Sequence, residues 1–274
     1  METFFIPSSN GARFCVHHPT RSLEPNKRGV VFVHAFAEEM NKSRHVVAQA
    51  ARRLAAMGVG VFLIDLFGCG DSEGRFEDAT WEDWQGDIDT AINWMLERQY
   101  GRLMLWGMRA GALLAAEMAV KRSEAVERCM FWQPTVSGEA LLTQFLRLRV
   151  ANAMLTRGAE PETTKRLRAR LDAGEAVEVA GYRLAPRLAA ALASRNLESL
   201  RPPCPVQWFE VVTEAGSEPA QSSQRVVTTW RAKQTQVTLT PVAGENFWGA
   251  SNAGELVQCT GLVDATAGLS GAWQ

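Results

Sequence analysis

"RLMLWGMRAGALLAAEMAV", residues 102–120, begins as an apolar segment, runs into Gly107-Met108-Arg109-Ala110-Gly111, and continues in small helix-forming residues. Its two glycines have the spacing of the G-x-S-x-G turn, where a strand passes sharply into a helix and presents a nucleophilic serine at the tip. Here the tip residue is Arg109. The segments before it share the same rhythm. "RGVVFVHAF" (28–36) and "VGVFLIDLF" (59–67) are short, nearly continuous apolar runs, the signature of strands buried on both faces of a parallel sheet. Between them, "NKSRHVVAQAARRLAAMG" (41–58) has helical spacing and stops on a glycine. "TWEDWQGDIDTAINWMLERQ" (80–99) predicts an amphipathic helix with Thr80 as N-cap and Asp83 three residues on.

The pattern extends in both directions. "FFIPS" and "ARFCVHH" predict a hairpin around "SNGA" at a sheet edge. "AVERCMFWQPT" predicts a strand after the elbow helix, and the alternation then breaks. Residues 137–200 read as helical and arginine-rich. Strand-helix-strand order resumes with "PVQWFEVV" (205–212), "EPAQSSQRVVTTWRAKQ" (218–234) and "QVTLTPVAG" (236–244). The expectation is an α/β fold with a mostly parallel central sheet and flanking helices. Residues 1–136 and 201–274 would form the core, and 137–200 a helical cap insertion.

Composition narrows the function classes. The 274 residues are 46% hydrophobic and 22% charged, with a formal net charge of -1, which gives no reason to expect a nucleic-acid partner. No apolar run reaches the ~18 residues of a spanning helix, and "METFFIPSSNGARF" carries no basic leader with an apolar core. A cytoplasmic protein, not integral to a membrane, is expected. The five cysteines are scattered and read as free thiols, with no C-x-x-C pair to suggest a disulfide frame or zinc. "LIDLFGCGDSEGR" (63–75) is one residue off G-x-G-x-x-G, and no helix opens after it. Its glycines read as tight turns, so no cofactor is expected, and no His/Asp/Glu cluster has the spacing of metal ligands, so no metal is expected. A homo-oligomer stays open, since exposed members of the nine tryptophans would mark a dimer surface.

Taken together, the strand-"HAF" loop, "DLFGCGDSEG", strand-"GMRAG"-helix and late helical insertion resemble the α/β-hydrolase superfamily over nearly the whole chain. More narrowly, "HAFAEEMNKSRH", "LWGMRAGALLA", "FWQPTVSGEALLTQFLRLRVA" and "GENFW" resemble the exosortase A system-associated hydrolase type 2 family. The resemblance implies a hydrolase acting on an ester- or thioester-like substrate, linked to exopolysaccharide and PEP-CTERM systems. Carried onto this sequence, the nucleophile position falls on Arg109 and the histidine position on Asn246. The acid position falls on Glu214, with Glu210 and Glu218 as competitors. Phe36, Ala37, Glu39 and Ala110 become candidate substrate-binding residues, with Phe36 or Ala37 offering the oxyanion-hole N–H.

The histidines are 17, 18, 34 and 45, so none is available for the C-terminal base position. Acyl-enzyme chemistry needs a nucleophile whose proton passes to an adjacent base, and a guanidinium is neither. Ser43, Ser72, Ser137, Cys69, Cys129 and His45 read as structural or solvated.

Two function classes therefore remain. One is a nonstandard hydrolase, with a polarising Arg109 and a carboxylate that activates water. The other is a catalytically inactive anion-binding or scaffold protein, in which Arg109 and the following helix N-terminus hold a small anionic or acyl ligand. Against both stands internal pairing of Arg109 with Glu38, Glu39, Asp71 or Glu214. Leu141, Leu142, Phe145, Leu148 and Ala151 form the apolar side of the first cap helix and suit either an acyl chain or core packing.

Overall fold

The computed structural model describes residues 1–20, 27–155, 162–249 and 257–272. Eight strands form one sheet. In chain order they are β1 (Glu2–Ser8), β2 (Gly11–His18), β3 (Arg28–Val33), β4 (Gly60–Ile64), β5 (Arg102–Met108), β6 (Val126–Trp132), β9 (Val206–Val212) and β10 (Val237–Ala243). Two short strands, β7 (Val177–Val179) and β8 (Tyr182–Leu184), pair separately. The spatial order of the main sheet is β1-β2-β4-β3-β5-β6-β9-β10. β1 and β2 are antiparallel, as are β2 and β4, and every other neighbouring pair is parallel. The strand order reverses around β3, so the C-terminal ends of β3 and β5 open side by side, where α/β sheets place their ligands.

Alternation along the buried strands feeds two cores. Val31 and Val33 face one, with helices α2 (Trp81–Glu97), α3 (Gly111–Lys121) and α7 (Gln221–Ala232). Val30 and Phe32 face the other, with α1 (Glu38–Ala56) and α8 (Thr260–Ala272). The predicted start of α2 is realised as a capping box, with Thr80 and Asp83 each accepting the other's backbone N–H. Helix α1 begins three residues earlier than its apolar spacing indicates, because Glu38 and Glu39 occupy its first turn, where the helix dipole favours acids. Helix α8 is not anticipated by the sequence pattern.

Between β6 and β9 lie α4 (Gly138–Leu155), α5 (Thr164–Asp172), the β7–β8 hairpin and α6 (Pro186–Ala193). The hairpin is an addition to the all-helical expectation. Leu141, Leu142 and Phe145 are buried in the same core as α2 and α3, whereas Leu148 and Ala151 are exposed. The expected apolar stripe is thus buried only at its N-terminal end. No helix among the described residues is long and apolar enough to cross a membrane.

Candidate functional site

The turn from β5 to α3 brings the two chain segments so close that only glycine fits on either side. A Cβ on Gly107 would lie 2.5 Å from Ala112 Cα, and one on Gly111 would lie 2.2 Å from the carbonyl oxygen of Val33. Arg109 at the tip has φ 55°, the left-handed conformation that costs a branched or long side chain energy. Neighbours hold it there: its N–H donates to Trp132 O at 3.1 Å, and its carbonyl accepts from Thr135 N at 3.1 Å. Two adjacent loops carry the same strain, with Gln133 at φ 42° and Ala37 at φ 49°. Ala37 and Ala110 are helix N-caps, and their backbone N–H groups donate to no acceptor among the described residues.

The guanidinium of Arg109 is not free. Its Nε donates to Glu39 at 3.0 Å (Oε1) and 3.2 Å (Oε2), and its Nη2 donates to Glu39 Oε1 at 3.0 Å. Nη1 donates to the carbonyl of Gln133 at 3.4 Å, and the guanidinium carbon lies 5.5 Å from the centre of the Trp248 ring. With side chains 14% and 12% exposed, this is a largely desolvated, forked ion pair. Of the four internal partners considered, Glu39 is the one found.

Arg109 and Glu39 line a pocket of about 210 Å³. Phe36, Leu141, Phe145, Leu148 and Trp248 supply its apolar wall, and Glu38, Lys42, Gln144 and Asn246 its further polar groups. The Phe36 ring packs edge-on against Phe145 at 5.2 Å, joining the loop after β3 to α4. Lys42 makes no ion pair among the described residues. Glu38 has a buried Oε2 that accepts no hydrogen bond among the described residues, and burial pushes its pKa above the usual carboxylate value. Glu38, Lys42, Gln144 and Trp248 were not singled out as site residues from the sequence. For Glu38 and Lys42 the available signal was spacing on α1, where positions 38, 39 and 42 share a helix face.

Not every candidate from the sequence meets here. Asn246 lines the pocket with Arg109, and Phe36 walls it. Glu214 is exposed and makes no side-chain hydrogen bond or ion pair, with Arg109 or any other group among the described residues. Glu218 is exposed as well. Glu210 is buried and spoken for, accepting from Ala220 N at 2.7 Å and from Trp208 Nε1 at 3.2 Å. Asp71, expected as a further partner for Arg109, instead donates its N–H to Asp65.

The substitute nucleophiles and bases are structural. Ser43 Oγ donates to Met40 O, Ser72 Oγ to Asp65 O, and Ser137 Oγ accepts from Ala140 N. Burial raises the Cys69 thiol above its ordinary range. His34 is buried with both ring nitrogens engaged: Nε2 accepts from Leu66 N, so Nδ1 carries the proton that it donates to Ala35 O at 2.7 Å. Burial lowers its pKa and keeps it neutral. His45 Nε2 lies 2.6 Å from Val257 O. The glycine run after β4 is a turn, because a Cβ on Gly70 would lie 2.0 Å from Asp65 Oδ2, which is itself held by Arg44 at 2.7 Å. Among the described residues, no group of three or more His, Cys, Asp or Glu side chains is placed to hold a metal ion.

A mostly parallel sheet in this order, with flanking helices and a glycine-flanked elbow after β5, defines an α/β-hydrolase-fold protein. The chain belongs to the serine aminopeptidase S33 family (Hydrolase_4), whose sequence model matches residues 24–201. No curated protein matches it. Among solved structures, it is similar to Est1E from Butyrivibrio proteoclasticus with bound ferulic acid: 14% identity, 97% of each chain covered, TM-score 0.68. Proline iminopeptidase from Mycobacterium smegmatis is 12% identical over 99% of this chain and 98% of its own, with TM-score 0.63. An alpha-beta serine hydrolase homologue from Coxiella burnetii is 14% identical over 97% and 95%, with TM-score 0.57. At these identities the likeness is one of fold.

Proposed function

We propose that this protein is a catalytically silent member of its family that keeps the elbow pocket as a binding site for a small amphipathic molecule. One observation carries the reading: the nucleophile position is filled by a guanidinium already forked onto Glu39. A guanidinium so paired offers neither an electron pair to a carbonyl carbon nor a net positive charge to polarise one. What the pocket still offers is Lys42 for an anionic head and Leu141, Phe145 and Leu148 for an acyl chain. Arg109, Glu39, Phe36 and Asn246 also line it. Resemblance to the exosortase A-associated type 2 family supports a place for this ligand in an exopolysaccharide or PEP-CTERM system.

The test pairs turnover with binding. Purified wild type and Arg109→Ala are assayed on a panel of esters, thioesters and acyl phosphates, and thermal melts are run with decanoate. Silence on the panel, with decanoate raising the wild-type melting temperature and Lys42→Ala losing most of that rise, is the expected result. Turnover that disappears in Arg109→Ala would overturn the reading.

A second reading rests on Glu38. An unpaired carboxyl oxygen in a cleft, with its pKa raised by burial, is the environment of a general base. In that reading Glu38, in place of Glu214, activates water on a nonstandard substrate. Glu38→Gln would abolish any turnover, and the rate would rise with pH through a value above the ordinary carboxylate range.

A further inference from the structure

Cys129 and Cys204 are 75 positions apart in sequence, yet their Sγ atoms lie 3.8 Å apart. Cys129 sits on β6 beside Val206, and its N–H donates to Pro205 O at 2.9 Å. Cys204 lies two residues before β9, where the chain returns to the sheet from the segment that roofs the pocket. No other pair of thiols among the described residues is within hydrogen-bonding reach. A disulfide has its sulfurs ~2.05 Å apart, so an approach of ~1.8 Å from the observed 3.8 Å would close the bond.

The two thiols are unequal. Cys129 is enclosed, and burial pushes its thiol well above the ordinary range. The neighbouring Cys129 thiol and the positive charge of Arg128 hold the Cys204 thiol below that range, and Cys204 is the more exposed of the two, 8% against 1%. Cys204 is therefore the sulfur that ionises. Cys129 also lines a cleft of about 170 Å³ with Arg128, Pro205, Gln207 and Gln236. This cleft lies at the end of the sheet opposite the Arg109 pocket and meets the pair from the Cys129 side.

We infer that Cys129 and Cys204 form a dithiol modification site whose co-reactant is a small hydroperoxide. The Cys204 thiolate attacks one peroxide oxygen. An S–O bond forms, the O–O bond breaks, and the leaving oxygen takes a proton to depart as alcohol or water. Cys129 Sγ then attacks the sulfenic sulfur; the S–S bond forms, the S–O bond breaks, and hydroxide leaves with the Cys129 proton as water. The two thiols give up two electrons in all, and the peroxide takes both. The product staples the return of the chain to β6 and is independent of what the Arg109 pocket binds.

The experiment exposes native protein to hydrogen peroxide, alkylates the remaining thiols after unfolding, and maps the peptides by mass spectrometry. The expected map contains a linked Cys129–Cys204 peptide that dithiothreitol releases, with Cys15, Cys69 and Cys259 alkylated. In Cys204→Ser the linked peptide disappears and Cys129 is recovered as a thiol. Recovery of both thiols from the exposed native wild type would overturn the proposal. So would sulfinic acid on Cys204 without a link, or a link that forms only in denaturant. The wild-type map decides by itself, so the outcome does not depend on the variant folding.

Discussion

At position 109 the guanidinium and the Glu39 carboxylate satisfy each other, so removing either leaves a partly buried charge alone. A double-mutant cycle with Arg109→Ala and Glu39→Gln in urea should return a coupling of ~1–3 kcal/mol, the range for a charged hydrogen bond of this kind. Restoring the serine alone, as Arg109→Ser, should yield no esterase, since none of the four histidines lies beyond residue 45 and His34 and His45 are engaged elsewhere. Glu214→Gln tests the correction to the triad. An exposed side chain with no hydrogen bond or ion pair among the described residues should shift stability by no more than ~0.5 kcal/mol on substitution and leave decanoate binding unchanged. Glu38 predicts a pH signature. Its folded-state pKa lies above the unfolded value, so its contribution is present below the ordinary carboxylate range and is lost as pH rises through the raised value. Glu38→Gln should therefore melt progressively higher than wild type as pH is raised from acid to neutral, with the two converging in acid.

Among the elements, α2 was legible almost to the residue, because its signals are local: a capping box at one end and two apolar tryptophans in its first turn. Thr80→Ala removes the cap and should cost ~1 kcal/mol, read as a lowered urea midpoint with an unchanged slope. Helix α8 was not legible for the opposite reason. "TGLVDATAGLSGA" is rich in glycine and alanine and has little amphipathic contrast, so its place is set by packing against α1. The β7–β8 hairpin escaped because three-residue strands show too few alternations to count. At the elbow, the close approach of β5 and α3 was legible from two glycines, and the identity of the tip from one letter. The partner of that tip was not, since Glu39 and Lys42, Phe145 and Trp248 reach the pocket from three different parts of the chain. Glu214 was misplaced for a related reason. Counting along a strand fixes a position in sequence, but the loop beyond it decides where a carboxylate points.

For the molecule as a whole, the order of strands followed from the alternation of apolar runs and helices, a regularity that spans the chain and survives local errors. The segment between β6 and β9 shares one continuous apolar core with α2 and α3. Residues 137–200, read from the sequence as a cap, should for that reason not melt separately. Far-UV circular dichroism and tryptophan fluorescence should trace coincident unfolding curves, and a separate early phase in one of them would mean that the roof opens as its own unit.

The strained turn at residue 109 outlives the chemistry it is known for. Trp132 and Thr135 hold its backbone by hydrogen bonds, and the bare faces of Gly107 and Gly111 let the chain pass; none of these depends on which side chain stands at the tip. The position behaves as a socket: its geometry belongs to the frame, and its contents are interchangeable. A reactive or spectroscopic side chain installed at 109 would be delivered to the same point above the sheet as the arginine, at the cost of the Glu39 pair, the Gln133 hydrogen bond and the Trp248 contact.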